Sequence, residues 1–138
     1  MLLGYDRGTW SEHLRPTAME PLGRDLAALC LATPAETEPL ALGDRSPALG
    51  DRLTATGYGR PAIHRQQERS CTVLARDRLG DLRLDCPLSS GTSGGPLLQA
   101  TPSGKTVVAI AVASNESQSL AIAAWSLDLD ALCSSPER

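Results

Sequence analysis

The stretch Ser89-Ser90-Gly91-Thr92-Ser93-Gly94-Gly95-Pro96-Leu97-Leu98 constrains this chain more than any other. Gly-X-Ser-Gly-Gly-Pro followed by two leucines is rare by chance, and its glycines permit a tight turn with φ > 0. A serine inside such a turn presents its hydroxyl to solvent, beside backbone N–H groups free to bind a developing negative charge. Ser93 therefore reads as a nucleophile, with the N–H groups of Gly91 and Ser93 facing the oxyanion. A chemically inert Ser/Gly hairpin turn is the alternative.

Two hydrolase families place a serine in this kind of setting. Gly91-Thr92-Ser93-Gly94-Gly95 also fits the G-x-S-x-G elbow of α/β-hydrolases, where a strand runs into a helix and the acid and histidine follow the serine. Here Gly-Pro, a short apolar pair and Thr101-Pro102-Ser103-Gly104 follow Ser93, which leaves no room for an ordinary helix. Both histidines, His13 and His64, also precede Ser93. The motif instead resembles that of the chymotrypsin-like (trypsin-like) serine peptidases, whose triad runs His, Asp, Ser along the chain.

That resemblance assigns further residues. The family's acid precedes a short apolar strand, and Asp25-Leu26-Ala27-Ala28-Leu29 matches that form, so Asp25 would orient the base. A carboxylate leading into an apolar strand is expected to be partly buried and to need a partner; the alternative is a plain turn residue. The family's histidine stretch, of the Ala-Ala-His-Cys kind, does not occur. His64 lies between Asp25 and Ser93, the wrong order, and Ser-Glu-His13-Leu-Arg lacks the small-residue packing. Both histidines read as surface or loop residues.

Leu3-Gly4-Tyr5-Asp6-Arg7-Gly8 resembles a strand that the glutamyl-endopeptidase-like bacterial branch places after its catalytic histidine. The chain is thus expected to be the C-terminal two-thirds of such a peptidase, with the first strands, the base and any signal peptide upstream of Met1. A serine without its base is an ordinary alcohol, so the chain alone is expected to be nearly inactive. A non-catalytic, peptide-binding relative is the second possibility.

The implied fold is all-β: a chymotrypsin-like double β-barrel, with the first barrel incomplete and a short C-terminal helix. Such domains run to roughly 200 residues or more, against 138 here. Residues 1–32 read as a partial first sub-barrel, 33–52 as a Pro/Glu/Ala/Gly-rich linker, and 53–138 as the second sub-barrel. Ser11–Glu20, with Pro16, reads as an edge strand or loop. The run Leu26–Leu31 reads as a buried strand. Further strands are expected at 53–58, 71–74, 82–86, 106–112 and 120–123, then a tail helix capped by Ser126. The tetrapeptide Leu-Gly-Asp-Arg, ending at Arg45 and again at Arg52, is too short to be a solenoid repeat.

In this fold the primary specificity pocket lies between the residues before the nucleophile, Pro87 and Leu88, and the later strand, Ala111, Val112, Ala113 and Ser114. An acid six residues before the serine would select basic side chains, and Pro87 stands there. A histidine in the later strand would select glutamate, and Ala111 or a neighbour stands there. A pocket for small or apolar side chains is the expectation.

Composition narrows the partners. Aromatics make up 3%, with no Phe, so the core must be built from Leu, Ala, Val and Ile. A net charge of −3 without a basic block argues against nucleic acid, and no apolar run is long enough to span a membrane. A protein or peptide substrate is expected, with no cofactor and no metal. Four cysteines without a C-x-x-C pair suit disulfides, and with them a secreted, cell-surface or periplasmic location. Cys71 and Cys86 sit at the ends of an expected hairpin, within bridging range. Cys30 and Cys133 either pair or stand as separate buried thiols.

Overall fold

Turn residues set the limits of the first four strands. The computed structural model describes residues 1–125 and 127–133; Ser126, expected to cap a helix, lies outside them. The chain divides into two compact units, Met1–Pro39 with Leu127–Arg138, and Leu40–Ser126. In the first, β1 (Leu2–Leu3) pairs antiparallel with β2 (Glu12–His13). The turn between them is closed by reciprocal backbone hydrogen bonds between Asp6 and Thr9, with positive φ at Arg7 and Gly8.

β3 (Pro16–Gly23) and β4 (Leu26–Leu31) form a second antiparallel pair. Their two-residue turn, Arg24-Asp25, has φ of 51° and 66°, the backbone of a type I′ hairpin. Pro16 opens β3 and Pro21 falls beside a register shift, the positions a strand tolerates for proline. The buried strand expected at Leu26–Leu31 is corrected: the strand is only half-buried, with Ala27 and Leu29 exposed on one face. Leu29 is exposed opposite an exposed Met19, and only Cys30 is buried.

The first half of the expected linker is tied to this unit. One Glu12 carboxylate oxygen accepts the Glu36 N–H at 2.7 Å, and the other accepts the Thr37 N–H at 2.9 Å together with the Thr37 hydroxyl. That hydroxyl first, and the N–H groups with it, hold the carboxyl below its ordinary value, against the smaller opposing effect of desolvation. The tail returns here through a Cys30–Cys133 disulfide, Cα to Cα 5.5 Å. The C-terminal helix is corrected to a single 3-10 turn, Leu129–Ala131, preceded by Asp128, which makes no side-chain cap. Three residues are too few for the helix nucleus to be repaid.

The second unit is a closed barrel. After β5 (Ala41–Leu42) come β6 (Arg52–Gly57), β7 (Gln67–Arg76), β8 (Leu82–Leu84), β9 (Pro96–Thr101), β10 (Gly104–Ser114) and β11 (Ser119–Ala123). Hydrogen bonding runs β11-β8-β7-β6-β9-β10, and β10 pairs again with β11 to close the ring. β5 lies parallel to β10 at Thr106–Val107, beyond the end of β11. The second part of the expected linker thus belongs to the barrel.

A six-stranded barrel has a narrow interior that side chains must fill, and a chain without Phe does so by opposing small to large residues. Leu53, Leu82, Leu84, Leu97 and Val73 fill one part. Beside them, alanine faces alanine across β10 and β11, Ala109 with Ala123 and Ala111 with Ala121, all buried, and Leu97 and Leu82 are the next partners of Ala109 and Ala121. The Cys71–Cys86 disulfide joins β7 to the segment after β8, Cα to Cα 5.2 Å. β9 was not legible as a strand, because Pro96 opens it and Thr101-Pro102-Ser103-Gly104 closes it. Among the described residues no helix is long and apolar enough to cross a membrane.

Candidate active site

Ser93 lies in the turn between β8 and β9, and the barrel holds that turn from three sides. Thr92 N donates to Ser89 O at 3.1 Å, which closes a turn with Gly91 at φ 96°. Gly94 N donates to Ala111 O at 2.7 Å, and Ala111 N donates back to Gly95 O at 2.9 Å, stitching the segment to β10. Arg60 N donates to Ser90 O at 2.8 Å from the β6–β7 loop.

Two glycine requirements explain the close packing. A Cβ on Gly95 would overlap the Thr56 carbonyl oxygen, and one on Gly59 would overlap the hydroxyls of Ser89 and Thr92. Thr92 is buried, and its Oγ1 lies 3.4 Å from Ser89 Oγ. Gly57 and Gly59 are thus site-forming residues that the motif alone did not reveal. The Gly57-Tyr58-Gly59 spacing was their one signal in the sequence.

The Ser93 side chain is exposed, and its hydroxyl donates to Val112 O at 3.4 Å. Neither the Gly91 nor the Ser93 N–H is used in a hydrogen bond among the described residues. An exposed hydroxyl beside two unused N–H groups can present a nucleophile and receive an oxyanion. Its acceptor, however, is a carbonyl, which can orient a proton but has no basicity to remove one at neutral pH.

A cavity of about 280 Å³ opens beside Ser93. Of the expected pocket residues, Leu88, Ala111, Ala113 and Ser114 line it together with the Ser89–Ser93 turn. Val112 and Pro87 do not. Val112 alternates to the other face of β10 and contributes only its carbonyl to Ser93. Ser114 fastens the walls: its Oγ accepts the Leu88 N–H at 2.8 Å. Among the described residues, no charged one lines it.

Neither histidine lines that cavity. Asp25 belongs to the other unit, at the tip of the β3–β4 turn. The partly buried carboxylate expected there is corrected: Asp25 is exposed and has no hydrogen-bonding or ionic partner among the described residues. A type I′ turn projects into solvent, and a two-stranded sheet offers nothing to cover it. His13 sits exposed on β2 and His64 exposed in the β6–β7 loop, and neither bonds to Ser93.

Residues 4–110 match the model of the trypsin-like peptidase domain. Among solved structures, a thermostable serine protease, AL20, from an extremophilic microorganism superposes with a TM-score of 0.68 at 18% identity, over 87% of this chain and 66% of that one. Kallikrein-related peptidase 10, in its complex with Zn2+, gives 0.64 at 20% identity, over 80% and 67%. The serine endoprotease from Yersinia pestis gives 0.56 at 25% identity, over 69% and 35%. No curated protein sequence matches. The chain spans about two thirds, or less, of the length of these structures. With a closed second barrel, a Gly-Thr-Ser-Gly-Gly-Pro turn and a match over most of its length, the chain belongs to the trypsin-like peptidase domain family.

Proposed function

We propose that this chain carries the nucleophile half of a serine endopeptidase site, with Ser93 attacking the scissile carbonyl and the N–H groups of Gly91 and Ser93 binding the resulting oxyanion. The observation that carries this is the exposed Ser93 hydroxyl on a turn whose Gly91 and Ser93 N–H groups are both unused, at the mouth of an uncharged cavity. The base comes from neither His13 nor His64. It is a histidine that these 138 residues do not supply, and Asp25 is the carboxylate that orients it. The substrate is a protein or peptide whose side chain at the cleaved bond is small and uncharged. Leu88, Ala111, Ala113 and Ser114 bring no charge to read a basic or acidic one, which also argues against glutamyl specificity. The two disulfides suit an oxidising compartment, so the protein acts outside the cytoplasm.

A fluorophosphonate probe tests this directly. The 138-residue chain should label at Ser93 slowly or not at all. A form extended upstream to include the histidine should label rapidly, and Ser93→Ala should abolish the signal. Loss of a single triad member removes most of the rate, leaving roughly 10³–10⁴-fold over water. Strong labelling of the short chain would assign the base to His13 or His64 instead. A folded, extended chain that stays unlabelled would favour a relative that binds peptides without cleaving them.

A further inference from the structure

Beside the Ser93 cleft, within the barrel unit, lies a second cavity of about 300 Å³. It shares Leu88, Ser89 and Thr92 with the first cavity but not Ser93. Its other wall brings charge into a region that otherwise has none: Arg60, Glu68 and Arg69 line it. Neither guanidinium has an ionic or hydrogen-bonding side-chain partner among the described residues, and Glu68 pairs with neither. The cavity therefore has an excess of one positive charge, in a protein whose net charge is −3.

Both arginines are carried on anchored backbone. Arg60 N donates to Ser90 O, so its loop is fixed to the turn that holds Gly91. The Gln67 side chain donates to Gly59 O at 2.5 Å and to Ala62 O at 3.2 Å, fastening the same loop from β7. Arg69 lies in β7, paired with the buried Ala55 of β6. An unpaired guanidinium on a fixed backbone is a planar fork that matches a carboxylate.

We propose that this cavity is a second subsite, which takes a carboxylate of a bound peptide through Arg60 and Arg69 while the first cavity takes a small uncharged side chain. The proposal rests on the reading of the Ser93 cleft as a peptide-binding site. The carboxylate comes either from an acidic side chain or from the C-terminus of the peptide. Glu68 weakens the site and limits it to a single carboxylate.

The test is peptide binding to the 138-residue protein, read by fluorescence anisotropy. The probes are four labelled alanine-rich peptides, with Glu or Gln at one position and with a free or amidated C-terminus. A carboxylate in one of the two positions should tighten binding about fivefold, as expected for a solvent-accessible charged pair, and the advantage should shrink with added salt. Which position matters identifies the source. Arg60→Gln and Arg69→Gln should each reduce the advantage, their combination should remove it, and Glu68→Gln should enlarge it. Equal binding of all four peptides, no binding of any, or an advantage that survives the double substitution would overturn the proposal. The fluorophosphonate experiment separates it from the catalytic reading. A carboxylate preference without labelling of the extended form removes the peptidase and keeps the subsite, whereas labelling without a preference does the reverse.

Discussion

Ser93 sits on a fixed turn, and no base is bonded to its hydroxyl among the described residues. Its hydroxyl is exposed and its neighbouring N–H groups are unused, but its acceptor, Val112 O, cannot take the proton. The positioning depends on Gly95, because any side chain there meets the Thr56 carbonyl oxygen, a backbone atom that cannot swing aside. Gly95→Ala should therefore destabilise the barrel by about 2 kcal/mol, seen as a lower urea midpoint. Gly94→Ala, where a Cβ would find open space at φ 89°, should suffer mainly from backbone strain. An equal stability loss at the two positions would show that Gly95 is not held by that contact. Glu12 yields a pH prediction. Its carboxyl is held below the ordinary value near 4.5 by the Thr37 hydroxyl and the Glu36 and Thr37 N–H groups. A depressed carboxyl stabilises the fold above its unfolded value, and the contribution fades as pH falls through the folded value. The Thr37 amide resonance should titrate with a midpoint below 4.5, and Glu12→Gln should abolish that titration; a midpoint at or above 4.5 would contradict the clamp.

At the scale of elements, β10 organises the barrel: it pairs with β9 along one edge and with β5 and then β11 along the other. Its run Thr106–Val112 was the strongest strand signal in the sequence, and most barrel strands were legible too. That run is a continuous apolar stretch between turn residues, while β6 and β8 alternate with period two, and both patterns mark strands. What was not legible had a physical cause in each case. β9 hides behind Pro96, a residue tolerated at the first position of a strand. The run Leu26–Leu31 looked buried because composition reports hydrophobicity, while burial depends on partners that a two-stranded sheet does not have. The exposure of Asp25 follows from its turn geometry, φ 66° in solvent, which no spacing rule contains. The cavity lined by Arg60, Glu68 and Arg69 arises from a loop and a strand brought together by Gln67, and no local pattern marks it. The Cys71–Cys86 link, spanning 15 residues, braces the segment that leads into the Ser93 turn. Chain entropy gives it roughly 3 kcal/mol, so Cys71→Ser with Cys86→Ser should lower barrel stability by about that amount in denaturant titration. A loss well under about 1 kcal/mol would mean that the register of β7 and β8 alone holds the segment.

For the whole molecule, the two units are stabilised by different means. The barrel has a closed ring of hydrogen bonds around a buried core. The first unit has two two-stranded sheets and, among its described residues, one buried apolar side chain, Cys30. Isolated hairpins are marginal in water, so the Cys30–Cys133 disulfide, closing a span of 103 residues, has to supply what packing does not. The chain-entropy contribution of so long a loop is about 4.7 kcal/mol. Cys30→Ser with Cys133→Ser should therefore loosen the first unit and leave the barrel folded. The two tryptophans report separately, Trp10 exposed in the first unit and Trp125 in the barrel unit. In the double variant, hydrogen exchange at β3 and β4 should approach the unprotected rate, while amides of Leu53, Leu84 and Leu97 stay protected and Trp125 emission is unchanged. Residues 40–126 expressed alone should show the same barrel protection. Simultaneous loss of protection in both units would mean that the barrel depends on the first unit, and that the molecule folds as one body.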